Sequence, residues 1–76
     1  MRKIELTKEP AELYKILKFE GVFNSGGQAK SAISDGQVKV NGEVETRKRR
    51  KIVDGDTIEY NDEMMEVRFL DKTGAG

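Results

Sequence analysis

Apolar residues at helical spacing mark the first half of the chain. One group falls on a single face of a helix predicted over about residues 10–20, namely Leu13, Ile16 and Leu17. Pro10 suits the first turn of such a helix, where its missing N–H is not needed, and Gly21 is a natural stop. Ahead of this helix, Ile4 and Leu6 alternate with charged residues, which indicates a short opening strand.

A second helix is predicted over about residues 26–35. Ser25, followed three positions later by Gln28, fits a capping box, in which the two side chains accept hydrogen bonds from backbone N–H groups at the helix start. Ala29 and Ala32 then recur at helical spacing. Because alanine is small, this face can approach the first helix closely, and we expect the two helices to be antiparallel neighbours.

After the second helix, the period of the apolar residues changes from helical to two, which predicts strands. Val38 and Val40 alternate with polar neighbours, and Asn41-Gly42 after them is a strong hairpin signal. Further turns rich in Asp, Asn and Gly divide the remainder into short strands. The predicted fold class is therefore α+β, with two antiparallel N-terminal helices packed on a small, mostly antiparallel twisted sheet.

The length and composition limit what this fold can do. The chain has 76 residues, and we expect a single domain over residues 1–72, followed by a flexible tail over residues 73–76. It contains no cysteine and no histidine, which removes thiolate zinc sites and imidazole acid–base chemistry, so we expect no enzyme, no cofactor and no metal site. The sequence has no apolar run long enough for a signal peptide or a membrane span, and a cytoplasmic location is expected.

The charged residues are unevenly distributed along the chain. Lys and Arg together number 14, as do Asp and Glu, so the formal net charge is zero. Residues 1–53 carry 12 basic and 7 acidic residues, whereas residues 54–76 carry 2 basic and 7 acidic ones. The neutral total conceals a region of charge +5 and a region of charge −5, and the basic region is a candidate for binding an anion.

Five consecutive basic residues stand within the basic region: Arg47, Lys48, Arg49, Arg50 and Lys51. They follow no apolar period, which predicts an exposed loop or sheet edge. Their mutual repulsion costs folding free energy unless an anion offsets it, and phosphate is an anion that arginine binds with two hydrogen bonds. The alternative is a solvated loop that the acidic C-terminal third partly neutralises, and the residues alone leave both interpretations open.

The start of the second helix is another candidate anion site. Helix N-termini present free N–H groups and a partial positive charge, and Gly26 and Gly27 have no side chains that would block an approaching phosphate. Lys30 lies one turn further along and can close over the same phosphate. The alternative is that Ser25 and Gln28 only cap the helix.

Two further groups of residues are interpreted as structural. Asp54 and Asp56 are expected to form a turn, because two carboxylates fall short of a calcium loop. The aromatic residues are expected to be core or half-buried rather than a platform for stacking bases, and they are Tyr14, Phe19, Phe23, Tyr60 and Phe69.

Four sequence segments stand in a recognisable order between residues 11 and 60. They are Glu20-Gly21, residues 25–30 (SGGQAK), residues 33–42 (ISDGQVKVNG) and residues 52–58 (IVDGDTI). No single segment is specific, but their order and spacing together resemble the S4 RNA-binding domain. The phrase ETRKR at residues 45–49 is typical of the small stand-alone bacterial S4-like proteins.

This resemblance implies RNA lying along a basic surface formed by the second helix and neighbouring loops. Many S4 domains have an arginine directly after the serine, where this chain has Gly26, and the basic run is expected to compensate. The implied partner is a structured RNA, ribosomal or transfer RNA, bound through phosphates and shape, in a ribosomal or precursor assembly or alone. Carried over by position, the RNA-binding residues are Ser25, Gln28, Lys30, Lys39 and the run from Arg47 to Lys51.

Two other functions remain open from the sequence. Ubiquitin-like sulfur-carrier proteins have turns like residues 40–43 and strands like residues 55–58, and they act through a C-terminal Gly-Gly. This chain ends Gly74-Ala75-Gly76 instead and places two helices before its sheet. The second alternative is a protein-interaction module whose basic loop docks on an acidic partner.

Overall fold

Two helices and seven strands make up the part of the chain that the computed structural model describes, residues 2–7 and 11–70. In chain order they are β1 (Arg2–Leu6), β2 (Ala11–Glu12), α1 (Leu13–Phe19), α2 (Gly26–Ser34), β3 (Val38–Val40), β4 (Glu43–Val44), β5 (Lys51–Ile52), β6 (Thr57–Tyr60) and β7 (Glu63–Phe69). The predicted tail over residues 73–76 and the domain boundary at residue 72 lie outside the described residues, and both stay predictions.

Five of the strands form one sheet in the order β1-β7-β6-β3-β4. Strand β1 runs parallel to β7, whereas the other pairs in this sheet are antiparallel. The two short strands β2 and β5 form a separate antiparallel pair. The predicted α+β fold, with two helices and a mostly antiparallel sheet, is confirmed.

Tight turns join the antiparallel strands where the sequence predicts them. Asn41 and Gly42 between β3 and β4 both have positive φ, at 53° and 86°. Asn61 and Asp62 between β6 and β7 have φ of 53° and 67°. Two left-handed residues in succession are typical of the two-residue hairpin turn whose twist matches that of the strands, and asparagine, aspartate and glycine tolerate them best.

The two helices and the inner face of the large sheet share one apolar core. Its buried members are Ile4, Leu13, Ile16, Leu17, Ala29, Ala32, Ile33, Val38, Val40, Ile52, Ile58, Met65 and Val67. Helices α1 and α2 contact each other, and the burial of both alanines of α2 fits the close approach that their small side chains permit. Each fully buried Leu or Ile contributes about 1.5–3 kcal/mol to stability by leaving water.

Helix α1 begins later than predicted, at Leu13 instead of about residue 10. Ala11 and Glu12 are extended and pair with Ile52 and Lys51 of β5, which uses their backbone groups for a sheet instead of a helical turn. Pro10 lies outside the described residues. Helix α2 matches its prediction. Neither described helix is long and apolar enough to cross a membrane.

One aromatic residue differs from its prediction. Phe19 is 82% exposed, whereas the other four aromatic residues are half-buried. Phe19 is the last residue of α1 and lies roughly a third of a turn away from the face formed by Leu13, Ile16 and Leu17. Its ring therefore projects from the molecule, and the prediction that it is core or half-buried is wrong.

Candidate nucleic-acid interface

The basic loop, defined as Arg47 to Lys51, joins β4 to β5 and is held in place by its backbone. The N–H of Leu13 donates to the carbonyl of Arg50 at 2.9 Å, and the N–H of Tyr14 donates to the carbonyl of Lys48 at 3.1 Å. These are the first N–H groups of α1, which have no acceptor within the helix itself. The loop carbonyls thus cap α1, so the loop backbone is part of the fold.

Glu45 stands just before the basic loop and is only 6% exposed. Its Oε2 accepts hydrogen bonds from Nε and the backbone N–H of Arg47, both at 2.9 Å. Its Oε1 accepts from Nη2 of Arg47 at 3.1 Å and from Nη1 of Arg50 at 2.7 Å. The bonds from Arg47, with those from Arg50, outweigh the opposing effect of burial and lower the pKa of Glu45 to about 2.

The Glu45 carboxylate offsets part of the repulsion among the five basic residues, which the sequence left without an identified anion. An anion does offset the repulsion within the basic loop, and it is Glu45, which forms ion pairs with Arg47 and Arg50. Among the residues described, the ion pairs of the basic loop involve this one glutamate and not the acidic C-terminal third. Five cations beside one carboxylate still leave a local excess of positive charge.

Most side chains of the basic loop lie together around one cleft. Lys48, Arg49 and Lys51 are exposed, and the side chain of Arg47 is 74% exposed even while it contacts Glu45. An open cleft of about 520 Å³ is lined by Arg47, Arg49, Arg50 and Lys51. The structure thus brings together four of the five basic residues that the sequence singled out, while Lys48 is exposed but does not line this cleft.

Ser25 and Gln28 both cap the start of α2 as predicted, although Gln28 bonds the residue before the N-cap instead of Ser25 itself. The Ser25 hydroxyl accepts a hydrogen bond from the N–H of Gln28 at 3.2 Å, and Oε1 of Gln28 accepts one from the N–H of Asn24 at 3.1 Å. Both side chains are exposed and therefore remain accessible from solvent. Their role in capping is confirmed, whereas their contact with RNA stays a prediction.

Tyr14 connects the start of α2 to the basic loop. The Nζ atom of Lys30 lies 4.7 Å from the centroid of the Tyr14 ring, within the range of a cation–π contact. A side chain at Gly26 would meet the same ring at 3.7 Å, and the backbone of Tyr14 is bonded to Lys48. Lys30 and the basic loop thus contact the same residue, Lys30 through the ring of Tyr14 and Lys48 through its backbone. This role of Tyr14 is not visible in the sequence, since no period links residues 14 and 30.

Lys39 lies on a different surface. Its neighbours Val38 and Val40 are buried, so its side chain is on the face of the sheet that points away from the core. Glu59 is its partner across the β3–β6 pair, and the cleft beside Lys39 also includes Asp62. Acidic neighbours weaken the attraction of Lys39 for phosphate, and its place in an RNA site stays a prediction.

The carboxylates of the Asp54–Asp56 turn have structural partners. Asp54 accepts a hydrogen bond from the N–H of Phe69 at 2.7 Å, and Asp56 accepts one from the N–H of Val53 at 3.0 Å. Asp56 also accepts from the side-chain amide of Asn41 at 3.0 Å. Within residues 2–7 and 11–70, no group of three or more acidic residues could hold a metal ion.

Two helices packed on a mostly antiparallel sheet, with a basic loop beside the start of the second helix, define a class of small domain. The family model described as the S4 domain matches residues 4–68, and the chain belongs to this family. Membership of this family argues against the sulfur-carrier alternative, as do the two helices that precede β3 to β7.

Individual relatives share most of their length with this chain. YbcJ of Escherichia coli, which is named as a candidate RNA-binding protein, is 52% identical over 68 residues, covering 88% of this chain and 97% of YbcJ. RlbA of Bacillus subtilis, which is named as a probable ribosome maturation protein, is 39% identical over 56 residues, covering 74% of this chain and 79% of RlbA.

Solved structures give the same fold. The solution structure of YbcJ from Escherichia coli, described as revealing an αL motif involved in RNA binding, has a TM-score of 0.69 and 51% identity, over 90% of this chain and 87% of that one. Ribosomal protein S4e from Thermoplasma acidophilum has a TM-score of 0.63 and 24% identity, over 76% of this chain and 31% of that one. At 24% identity the second likeness concerns the fold alone.

Proposed function

We propose that this chain is a non-catalytic protein that binds structured RNA, ribosomal or transfer RNA, through phosphate contacts and shape. One observation carries the proposal. The basic loop is fixed by its backbone to the start of α1, while Lys48, Arg49 and Lys51 are exposed and, in the part of the chain described, form no ion pair. Exposed cations on a backbone that is held in place are suited to contact the phosphates of a folded RNA.

The order of the loop supports this proposal in energetic terms. Binding costs free energy for each side chain and loop that must be immobilised. The hydrogen bonds to Leu13 and Tyr14 and the ion pairs to Glu45 already hold the loop in one conformation. Phosphate contacts position a protein on RNA without reading its bases, so we expect recognition of shape with weak sequence preference.

The relatives support the same proposal. YbcJ is named for RNA binding, and the name of RlbA refers to ribosome maturation, which makes ribosomal RNA or its precursor the first target to test. The absence of cysteine and histidine from the sequence supports a non-catalytic role. The cytoplasmic location expected from the sequence stays a prediction.

The proposal is tested by titrating a labelled ribosomal RNA fragment with wild-type protein and with the variant K48A/R49A across a series of salt concentrations. These residues are exposed and do not contact Glu45, so the fold should be retained. If each lysine or arginine engages one phosphate, the variant should bind more weakly. Its plot of log affinity against log salt should be flatter by about 1.4–1.8 units.

A charge-matched control separates a local contact from the effect of net charge. The variant K3A/R68A also removes two exposed cations, but from β1 and β7 on the outer face of the sheet. It should keep the wild-type salt slope. Equal slopes for all three proteins would contradict the proposal. Partners that are retained from a lysate after ribonuclease treatment would favour an acidic protein partner instead.

A further inference from the structure

The exposed side of α1 carries an aromatic ring among lysines. Phe19 is 82% exposed, far more than the other aromatic residues, which are half-buried. It lines one face of a shallow cavity of about 330 Å³ between α1 and the start of α2. The other residues of this cavity are Tyr14, Lys15, Lys18 and Gly26.

The described residues that line the cavity include two lysines, Lys15 and Lys18, and no acidic residue. Lys15 contacts Glu12 at 3.5 Å, but its side chain is still 64% exposed, so this surface ion pair is weak. An exposed ring flanked by lysines fits a ligand that has both a flat apolar face and negative charge. An unpaired nucleotide has both.

The cavity shares Tyr14 with the proposed RNA surface. Tyr14 lines it on one side, and the ring of Tyr14 also carries Lys30 at 4.7 Å. The backbone N–H of Tyr14 is bonded to the carbonyl of Lys48 in the basic loop. Tyr14 therefore links the cavity to Lys30 through its ring and to the basic loop through its backbone.

We propose that an unpaired base of the bound RNA stacks on the ring of Phe19, while neighbouring phosphates lie beside Lys15 and Lys18. The inference rests on the proposed function and adds a requirement for single-stranded nucleotides next to the structured part. Base–aromatic stacking tolerates any base, because every base has a π-face, so this site adds affinity and orientation without reading sequence.

The variant Phe19→Ala tests the stacking contact with two RNAs, a hairpin with an unpaired loop and a perfect duplex of the same stem. For the hairpin, its affinity should fall by about 5- to 150-fold, the range for losing one stacked base. For the duplex, its affinity should stay unchanged. Its salt slope should match the wild type, because a neutral ring releases no counterions.

Matched variants distinguish stacking from apolar contact in general. Phe19→Leu keeps an apolar side chain but loses the flat ring, and should bind nearly as weakly as Phe19→Ala. Phe19→Trp keeps a flat ring and should bind like the wild type. Val44→Ala, at an exposed apolar position on the sheet, should bind like the wild type. Since the chain has no tryptophan, the F19W variant also reports directly, and hairpin binding should quench its fluorescence.

The outcomes separate this inference from the proposed function. If the wild type binds and K48A/R49A flattens the salt slope, but Phe19→Ala and Phe19→Leu bind like the wild type, stacking is overturned and the proposed function stands. If the wild type binds neither RNA, both are overturned. If Phe19→Ala loses a partner that survives ribonuclease treatment but no RNA affinity, this cavity is a protein contact and the inference fails.

Discussion

The basic loop and the Asp54–Asp56 turn are both strongly charged connections between short strands, yet they use opposite parts of their residues to hold the fold. In the acidic turn, the carboxylates accept hydrogen bonds from the backbone N–H groups of Phe69 and Val53. In the basic loop, the backbone carbonyls cap α1, and most of the charged side chains point outward. The acidic side chains thus serve the structure, whereas three of the five basic ones, Lys48, Arg49 and Lys51, are exposed and form no ion pair with a described residue.

This difference helps to decide whether charged residues in a loop have a structural role or are available for binding. A charged residue whose side chain satisfies the backbone has a sufficient structural reason to be there, as for Asp56. Lys48 and Arg49 have no such partner within the described part of the chain, while the backbone around them is fixed. Glu45 stands between the two cases, because it is an acidic residue that positions two basic ones.

Among the variants considered, removing Glu45 should lower the stability of the protein most. In Glu45→Ala, Arg47 and Arg50 lose their shared carboxylate, and the free energy of unfolding in urea should fall by about 2–3 kcal/mol. The loss should be below the usual cost of a broken buried pair, because both arginines can reach water. Glu43→Ala, at an exposed neighbouring position, should change stability by less than about 0.5 kcal/mol. Equal stability of the two variants would contradict the role given to Glu45.

Acid should weaken the ion pairs that Glu45 forms with Arg47 and Arg50. The pKa of Glu45 is about 2 in the folded chain, below its ordinary value of 4.5. Its contribution is therefore complete above pH 4.5 and is lost as the pH falls towards 2. We expect a loss of about 2 kcal/mol, less than the full shift implies, because Arg47 is largely exposed.

Urea titrations of the wild type and Glu45→Gln at a series of acidic pH values measure this loss. Other carboxylates titrate in both proteins, so the difference between the two curves isolates Glu45. The wild type should lose more stability with acid than the variant. Parallel curves would show that Glu45 does not titrate in the expected range.

Two variants should show that the acidic turn contributes to stability, whereas the basic loop side chains contribute to RNA affinity. Asp56→Ala removes the bonds to Val53 and Asn41 and should lower stability by about 1–2 kcal/mol, while RNA affinity stays unchanged. K48A/R49A should do the reverse, with stability within about 0.5 kcal/mol of the wild type and weaker RNA binding. Urea titration and RNA titration of both variants give the four values. If Asp56→Ala is folded but binds RNA more weakly, the acidic turn is not purely structural, which would contradict this assignment of roles.

The smallest expected effect concerns Lys30. In Lys30→Ala, the cation above the Tyr14 ring is lost, and stability should fall by about 0.5–1 kcal/mol. If Lys30 also meets one phosphate, the salt slope of RNA binding should flatten by about 0.7–0.9 units. Lys30→Arg should restore both values. An unchanged salt slope in Lys30→Ala would exclude Lys30 from the RNA surface.

Local rules predict much of this fold because the interactions concerned are local. The cap of α2 joins residues three positions apart, and the Asn41-Gly42 turn needs only its own φ angles. The start of α1 is different, because it depends on the pairing of β2 with β5, some 40 positions away. No spacing within residues 10–20 indicates that pairing.

The candidate site is predictable to a similar extent. The basic loop is visible as a run of charge, and Lys30 is visible through its helical position. Which cations remain unpaired is not visible, because this depends on how Glu45 is buried. The acidic surroundings of Lys39 come from the register of β3 with β6 and are not visible either. The exposure of Phe19 is different, because its helical spacing already places it off the face formed by Leu13, Ile16 and Leu17.

We expect RNA to bind along the basic loop and the start of α2, and not on the outer face of the sheet. The most direct test is an NMR titration of ¹⁵N-labelled protein with a ribosomal RNA fragment. The largest shifts should fall on the amides of Lys48, Arg49 and Lys30, with small shifts on Glu59 and Glu66 of the sheet. Shifts concentrated on β6 and β7, or none at all, would contradict the account.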